Sequence, residues 1–481
     1  METMSVENLS RDLHSILNSY LDLIGCDGGS IYTLEKNESG EKVLVFKAMI
    51  TRSLGIRAVP DELKSAVFTL DEESLVGKTG FHQKTFKENR LVEEEYKMEV
   101  VPKFQTHNVL SAPLLTPRGD LVGVVQLVNK IPAEGETQAD FDLKDERLCG
   151  IVSSQAALAI ENSTLLVEQE KILDGFVNAC VTAIEARDPV TAGHSQRVCD
   201  LAVNLAGVVN QTPIGPLAFI NFNHVQMREL RYAAMLHDIG KISVRENVLQ
   251  KEKKLYPWEL EQIEMRFKLM RMALKQELTG DQNKLELVRK TKELDQALML
   301  IRAANEPTFL PTEVSQTILE LTKLKVVIDS DKQEWCCALH KEESERLRIP
   351  RGSLSTEERT EIEKHVSFTY EILKMVPWGR GLENVPVIAH RHHEKLDGTG
   401  YPQHVKAEEI PIQSRMLTIC DIYDALTAKD RPYKAAIPVD KALSILEDEV
   451  KQGKLDAILF KLFLDSKAYQ LPAAAKDKKV A

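Results

Sequence analysis

The stretch from Leu143 to Cys180 constrains this chain more than any other. Apolar residues recur in it at i, i+3 and i+4 with little proline or glycine between them, so it reads as one helix. That helix is too long to lie inside one globular body. It divides the chain into domains, and its apolar seam suits pairing with itself as a short parallel coiled coil. The length of 481 residues agrees with two or three domains, each large enough to bury a core without disulfide staples.

Composition narrows the function classes. An apolar fraction of 43% and a charged fraction of 28% exclude a mostly disordered chain. No apolar run reaches the roughly 18–20 residues that cross a membrane. The N-terminus lacks a signal-peptide core, so a cytoplasmic protein without a membrane partner is expected. Lys and Arg number 62 against 73 Asp and Glu, a net charge of −11, which argues against binding duplex nucleic acid while leaving local basic pockets open. The seven cysteines include no CxxC pair and read as reduced thiols.

Residues 1–165 read as an α/β domain. It opens on an amphipathic helix with Leu9, Leu13, Leu17 and Leu21 on one side. Strands follow at Gly29–Leu34, Lys42–Ile50, Val109–Leu115 and Asp120–Asn129, with a hairpin turn at Pro117–Asp120. Residues 166–180 are the connecting helix. Residues 181–470 read almost only as helices, with a charged, heptad-like insertion at about 268–348 read as a helical hairpin, and 471–481 as a disordered tail.

Of the 12 histidines only His14, His82 and His107 precede residue 170, so chemistry is expected in the second half. His237 and Asp238 end an apolar helix, with Gly240 as terminator. His365 lies near the buried face of a helix opened by a capping box, Ser355 with Glu358. His392 and His393 precede a glycine-rich stretch. Asp421 sits in an apolar helix, where an acid is costly unless paired or ligating. Imidazole and carboxylate together suit Zn, Mn or Fe.

The first domain resembles a GAF domain. The resemblance rests on Ser74–Gly80, Leu110–Leu114, Gly119–Lys130 and Ser154–Asn162. It implies a ligand-sensing or dimerising module built on an antiparallel sheet, and a homodimer through that domain and the connecting helix. Asn129, Lys130, Phe141, Asp145 and Glu146 match the arrangement of cyclic-nucleotide-binding GAF domains, where the Lys and Asp lock a lid. Either a bound cyclic nucleotide or a surface ion pair in a purely dimerising or other-ligand module accounts for them.

The second domain resembles the HD-GYP branch of the HD phosphohydrolases, through HDIGK at 237–241, HHExxDGTGYP at 392–402 and DxxDALTxxxRPYK at 421–434. The overall class is thus α+β: a GAF domain, a connecting helix and an all-α HD-GYP domain carrying an insertion. The resemblance implies hydrolysis of cyclic di-GMP to pGpG, with onward hydrolysis to GMP left open. It implies two divalent ions, Fe or Mn, about 3.5–4 Å apart. His194, His237, Asp238 and Asp421 would hold one. Asp238 would bridge to the other, held by His365, His392 and His393. Lys241 would meet a phosphate oxygen, and Asp424 would support a ligand from behind. Gly398, Gly400, Tyr401 and Pro402 would shape the pocket, and Arg431 and Lys434 would meet phosphate or guanine. Val190 stands where some members place a glutamate for a third metal, so a binuclear site is expected. His390 reads as a core or surface residue. Two rivals stay open: a catalytically silent receptor or docking module, and a hydrolase of another cyclic dinucleotide such as cyclic GMP-AMP.

Overall fold

The computed structural model describes residues 2–471 apart from 38, 57–58, 60–62, 64–65, 91–104, 133–138, 189–191, 279–280, 330–333 and 429–435. The chain divides into two compact units, Met1–Asp174 and Gly175–Ala481.

In the first unit, helix α1 (Glu2–Ile24) leads into β1 (Cys26–Lys36), β2 (Lys42–Thr51), β3 (Val67–Thr69), α2 (Leu75–His82), β4 (Phe86–Glu88), β5 (Val109–Leu115), β6 (Leu121–Lys130) and α3 (Leu143–Arg187). The six strands form one antiparallel sheet in the order β3-β2-β1-β6-β5-β4. Successive strand residues point to opposite faces, and both faces are buried. Ile31, Ala48, Leu110, Val125 and Leu127 share a core with Leu13, Leu17 and Leu21 of α1 and with Ala156 and Ile160 of α3. Tyr32, Phe46 and Val124 share the opposite core with Val76 of α2. The expected turn closes the β5–β6 hairpin: Thr116 N–H donates to Asp120 O at 2.9 Å, and Gly119 takes a φ of 90° that favours glycine. The edge strands β3 and β4 are not read from sequence, because three residues each are too few to display an alternation. Helix α3 runs on past Cys180, since Val181 and Ile184 continue its buried side.

The second unit is helical, with one exception. Its elements are α4 (His194–Asn210), α5 (His224–Leu236), a 3-10 turn (Ile239–Ser243), α6 (Glu246–Leu249), α7 (Pro257–Glu277), α8 (Lys284–Ala304), α9 (Thr312–Glu320), β7 (Lys325–Asp329), β8 (Glu334–Cys337), α10 (Lys341–Leu347), α11 (Thr356–Lys374), α12 (Val385–His390), α13 (Ile412–Thr427), α14 (Val439–Lys451) and α15 (Ala457–Asp465). The insertion is more than the expected helical hairpin. Helices α7 and α8 pair, but β7 and β8 add an antiparallel ribbon. Val326 and Cys336 of that ribbon join Ile263, Phe267, Leu298 and Ile301 in a separate apolar core. β-branched Val326, Val327 and Ile328 favour a strand, a local signal too short to stand out from the helical pattern around it. The tail from 472 on lies outside the described residues. Among the described residues no helix is long and apolar enough to cross a membrane.

Helix α11 opens on the expected capping box, in which Ser355 N–H donates to Glu358 and Ser355 Oγ accepts from the Glu358 amide. Lys251 Nζ also reaches Glu358 at 2.7 Å and Tyr256 OH donates to it at 2.7 Å. Burial pushes the Glu358 carboxyl up, but Lys251, the Ser355 amide and Tyr256 outweigh it and hold it below the usual glutamate range. A depressed folded-state pKa gives stability that is present above the unfolded value, about 4.3, and is lost as pH falls through the folded one. The stability gap between the native chain and Glu358→Gln, measured by chemical denaturation, is therefore expected to be full at pH 7 and to shrink as pH falls below about 4.

Candidate functional site

Four pieces of chain bring the histidines together. His194 is the first residue of α4, behind Gly193 at a φ of 68°. His237 follows α5, and Asp238 precedes the 3-10 turn. His365 lies on α11, His392 and His393 follow α12, and Asp421 and Asp424 lie on α13. The turn after Asp238 packs tightly on α11. A Cβ on Gly240 would lie 1.9 Å from His365 O and 2.5 Å from Thr369 N, so only glycine permits this approach. Thr369 Oγ1 accepts from Gly240 N–H at 2.9 Å and donates to His237 O at 3.0 Å, fixing the two halves of the site to each other.

Three imidazoles share one local geometry. His237, His365 and His392 each donate Nδ1–H to the carbonyl three residues earlier, on Ala234, Ile362 and Ala389, at 2.7, 2.5 and 2.6 Å. That assigns the proton to Nδ1 and leaves Nε2 as a lone-pair acceptor. All three Nε2 atoms are buried and have no hydrogen-bond partner. His194 is oriented differently: its Nδ1 pairs with Asp424 Oδ2 at 2.7 Å, and Asp424 is held by Arg197 through bonds of 2.7 and 3.0 Å.

The carboxylates lie among these atoms. Asp238 Oδ2 is 3.6 Å from His237 Nε2 and 4.0 Å from His194 Nε2, while its Oδ1 is 3.3 Å from His365 Nε2. Asp421 Oδ1 is 3.2 Å from His194 Nε2, and its Oδ2 is 3.8 Å from His393 Nδ1. Two groups have ligand atoms within metal-binding reach: His194, His237 and Asp238, and His365, His392 and His393. Asp238 faces both. The donor set of neutral imidazole and carboxylate fits divalent Fe, Mn or Zn. Unpartnered buried nitrogens beside ionised carboxylates are what such a site looks like from the protein side.

Electrostatics sort the same groups. Burial lowers the pKa values of His237 and His392, and carries His393 down to about 3, so these rings favour the neutral form that ligates. Burial works against charging Asp238, but the Lys241 ammonium beside it holds its carboxyl well below the usual range. Burial also opposes protonation of His194, yet Asp421 and Asp424 raise it to about 9, so this ring, unlike the other three, gives up a proton when its Nε2 ligates. Lys241 Nζ lies 2.8 Å from Asp238 and 3.4 Å from Asp188.

Of the remaining candidates, those of the glycine loop and His390 lie among the described residues. Gly400 folds back on the chain: a Cβ there would lie 2.3 Å from Lys395 N and 2.5 Å from His393 O. Tyr401 N–H donates to His393 O, and the two rings lie 4.8 Å apart, with Tyr401–Pro402 in the cis form. His390 is buried and stacks on Tyr370. Arg431, Lys434 and Val190 lie outside the described residues. The sequence reading passed over Thr369, Arg197, Asp188 and Glu394. Glu394 is buried and accepts the amides of Gln403 and Val405, pinning the glycine loop. Two signals existed: Glu394 stands in the HHExxDGTGYP motif, and Arg197 follows His194 by one helical turn. A cleft of about 570 Å³ lined by Lys251, Tyr256 and Trp258 shares no lining residue with the histidine cluster.

In the first unit two of the five candidate residues pair with each other and the other three bind neighbours outside the set. Lys130 Nζ joins Asp145 at 2.5 Å and Ile24 O at 2.7 Å, tying the end of β6 to the start of α3 and the end of α1. Asn129 holds the backbone of His107 and Gln105, Phe141 is buried with its backbone on Asn89, and Glu146 pairs with Lys87.

Residues 342–459 match the HD domain family. The helical unit carries an HD domain. The chain is 44% identical over 100 residues to a 3′3′-cGAMP-specific phosphodiesterase of Vibrio cholerae, covering 21% of this chain and 21% of that one. It is 38% identical over 95 residues to the cyclic di-GMP phosphodiesterase response regulator RpfG of Xanthomonas campestris, covering 20% of this chain and 25% of that one. The matched stretches thus span about a fifth to a quarter of these curated relatives. Among solved structures the chain is similar to the GAF domain of an Acinetobacter phosphoenolpyruvate-protein phosphotransferase, at 19% identity, 35% and 99% coverage and a TM-score of 0.24. It is also similar to a GAF domain/HD domain protein from Geobacter sulfurreducens, at 10% identity, 33% and 96% coverage and a TM-score of 0.26.

Thr369 gives a direct check on the HD domain's internal bracing. Thr369→Val removes a hydroxyl that serves two buried backbone groups and should cost about 1–3 kcal/mol in chemical denaturation, while Thr369→Ser should retain most of the stability.

Proposed function

We propose that this chain is a metal-dependent phosphodiesterase of the HD-GYP type that hydrolyses cyclic di-GMP to pGpG, with the N-terminal unit as a GAF regulator. The observation that carries this reading is the set of three buried, partnerless Nε2 atoms facing two carboxylates held ionised. Divalent ions bound there would supply a Lewis acid for a phosphoryl oxygen and a water activated at neutral pH. His194, His237, Asp238 and Asp421 are the proposed ligands of one ion and His365, His392 and His393 of the other, with Asp238 spanning the two. Asp424, braced by Arg197, holds the His194 ring in one orientation. Lys241 keeps a buried positive charge beside Asp238, where a non-bridging phosphate oxygen would be neutralised. Tyr401 against His393 forms one wall, and Arg431 and Lys434 are proposed contacts to phosphate or guanine.

A second substrate reading, 3′3′-cGAMP, is favoured by the 44% identical relative named for that dinucleotide. A homodimer through the N-terminal unit is supported by Ile151, Leu158, Leu165 and Ile172, which stay exposed at seven-residue intervals along α3. The Lys130–Asp145 tie supports a locked arrangement in the proposed GAF regulator.

The test loads purified protein with Mn, Fe or Zn in turn and follows cyclic di-GMP and 3′3′-cGAMP by chromatography. The expected outcome is pGpG, with turnover abolished by a chelator, by Asp238→Asn and by His237→Ala. Faster cleavage of 3′3′-cGAMP would select the second reading. Binding without turnover under every metal would leave a receptor. Asp424→Asn should weaken metal retention by about 10–100-fold, read by metal content after dialysis.

A further inference from the structure

Helix α7 has two apolar sides, and only one of them is used. Ile263, Phe267, Met270, Ala273 and Leu274 are buried in the insertion's own core. On the outward side Trp258, Met265, Leu269 and Met272 are 49%, 56%, 43% and 61% exposed. Their spacing of seven, four and three residues is that of a helix-pairing seam. Isolated exposed apolar residues need no explanation, but Met265, Leu269 and Met272 follow one another turn by turn and form a stripe, with Gln262 between them and Trp258, which stacks on Tyr256. Methionines, with their flexible thioethers, suit a seam that must adapt to a partner.

The charges beside the seam identify that partner. Glu261, Lys268 and Lys275 line one flank at seven-residue intervals, and all three are exposed. The other flank is occupied within the chain, since Glu259 pairs with Arg346 and Arg266 with Glu343. In a parallel pair of identical helices opposite flanks meet, so Glu261, Lys268 and Lys275 would face side chains that are already engaged. In an antiparallel pair like flanks meet. Glu261 then faces Lys275 of the second helix, the reciprocal pair forms symmetrically, and Lys268 lies at the two-fold axis. Met265 meets Met272 in the same register, with Leu269 near the centre. Reversed on itself, this row makes two opposite-charge pairs and one like-charge meeting of Lys268 with its copy, a net match.

We propose that the outward face of α7 is an antiparallel pairing surface for α7 of a second copy of this chain. The insertion thereby becomes an assembly element of the helical unit, on a seam separate from that of α3. The proposal stands whether or not the histidine cluster is catalytic.

The experiment uses the full chain and reads register, because α3 could hold two copies together by itself. Lys268→Cys, mildly oxidised, is expected to form a disulfide-linked dimer that the unmodified chain does not form. A mixture of Glu261→Cys and Lys275→Cys chains is expected to cross-link at least about tenfold faster than either alone. Adding Leu269→Glu to Lys268→Cys should abolish the cross-link with the thermal melt unchanged. Glu261→Lys should slow it, and Lys275→Glu added to Glu261→Lys should restore it. If Lys268→Cys yields no more dimer than the unmodified chain, no such contact exists. If Glu261→Cys links to itself as fast as to Lys275→Cys, the pairing is not antiparallel. Either result overturns the proposal.

Discussion

The histidine cluster depends on one repeated hydrogen bond, from an imidazole Nδ1–H to the carbonyl three residues behind it. A buried imidazole with both nitrogens unspecified could take either tautomer and several ring orientations. Anchoring Nδ1 to the residue's own backbone removes that freedom, because helical geometry sets where the carbonyl lies. The three Nε2 atoms are then aimed by main chain, and the side chains around them need only leave space. His194 sits at a helix start, where no preceding turn of α4 offers a carbonyl, and Asp424 takes over the anchoring. The long-range part of the design is smaller: Thr369 and the bare Cα of Gly240 hold the 3-10 turn against α11.

Much of this was legible in the chain itself. His237, Asp238, His392 and His393 stand in short motifs of chemically unusual density, and Asp421 is conspicuous as an acid amid apolar helix residues. The glycine loop announces its turns. Thr369 was not legible, since a threonine one turn after a histidine in a helix is ordinary until Gly240, distant in sequence, is seen bonded to it. Arg197 and Asp188 share that property: each acts on a residue that only the fold brings near.

In the first unit the long strands showed themselves through alternation or continuous apolar runs, and β3 and β4 through neither. The insertion misled for the opposite reason. Its charged, heptad-like helices dominate the pattern, and the brief β-branched run of β7 reads as more of the same. The ribbon is fixed by burial of Val326 and Cys336 in the core beneath α7, a tertiary effect that overrides weak local preference.

Asp238 presents one oxygen to His237 and His194 and the other to His365. A carboxylate is rigid and planar, and the separation of its two oxygens does not vary. A turn of that plane that brings one oxygen closer to His237 and His194 carries the other away from His365, so the two histidine groups are tied to each other through a single side chain.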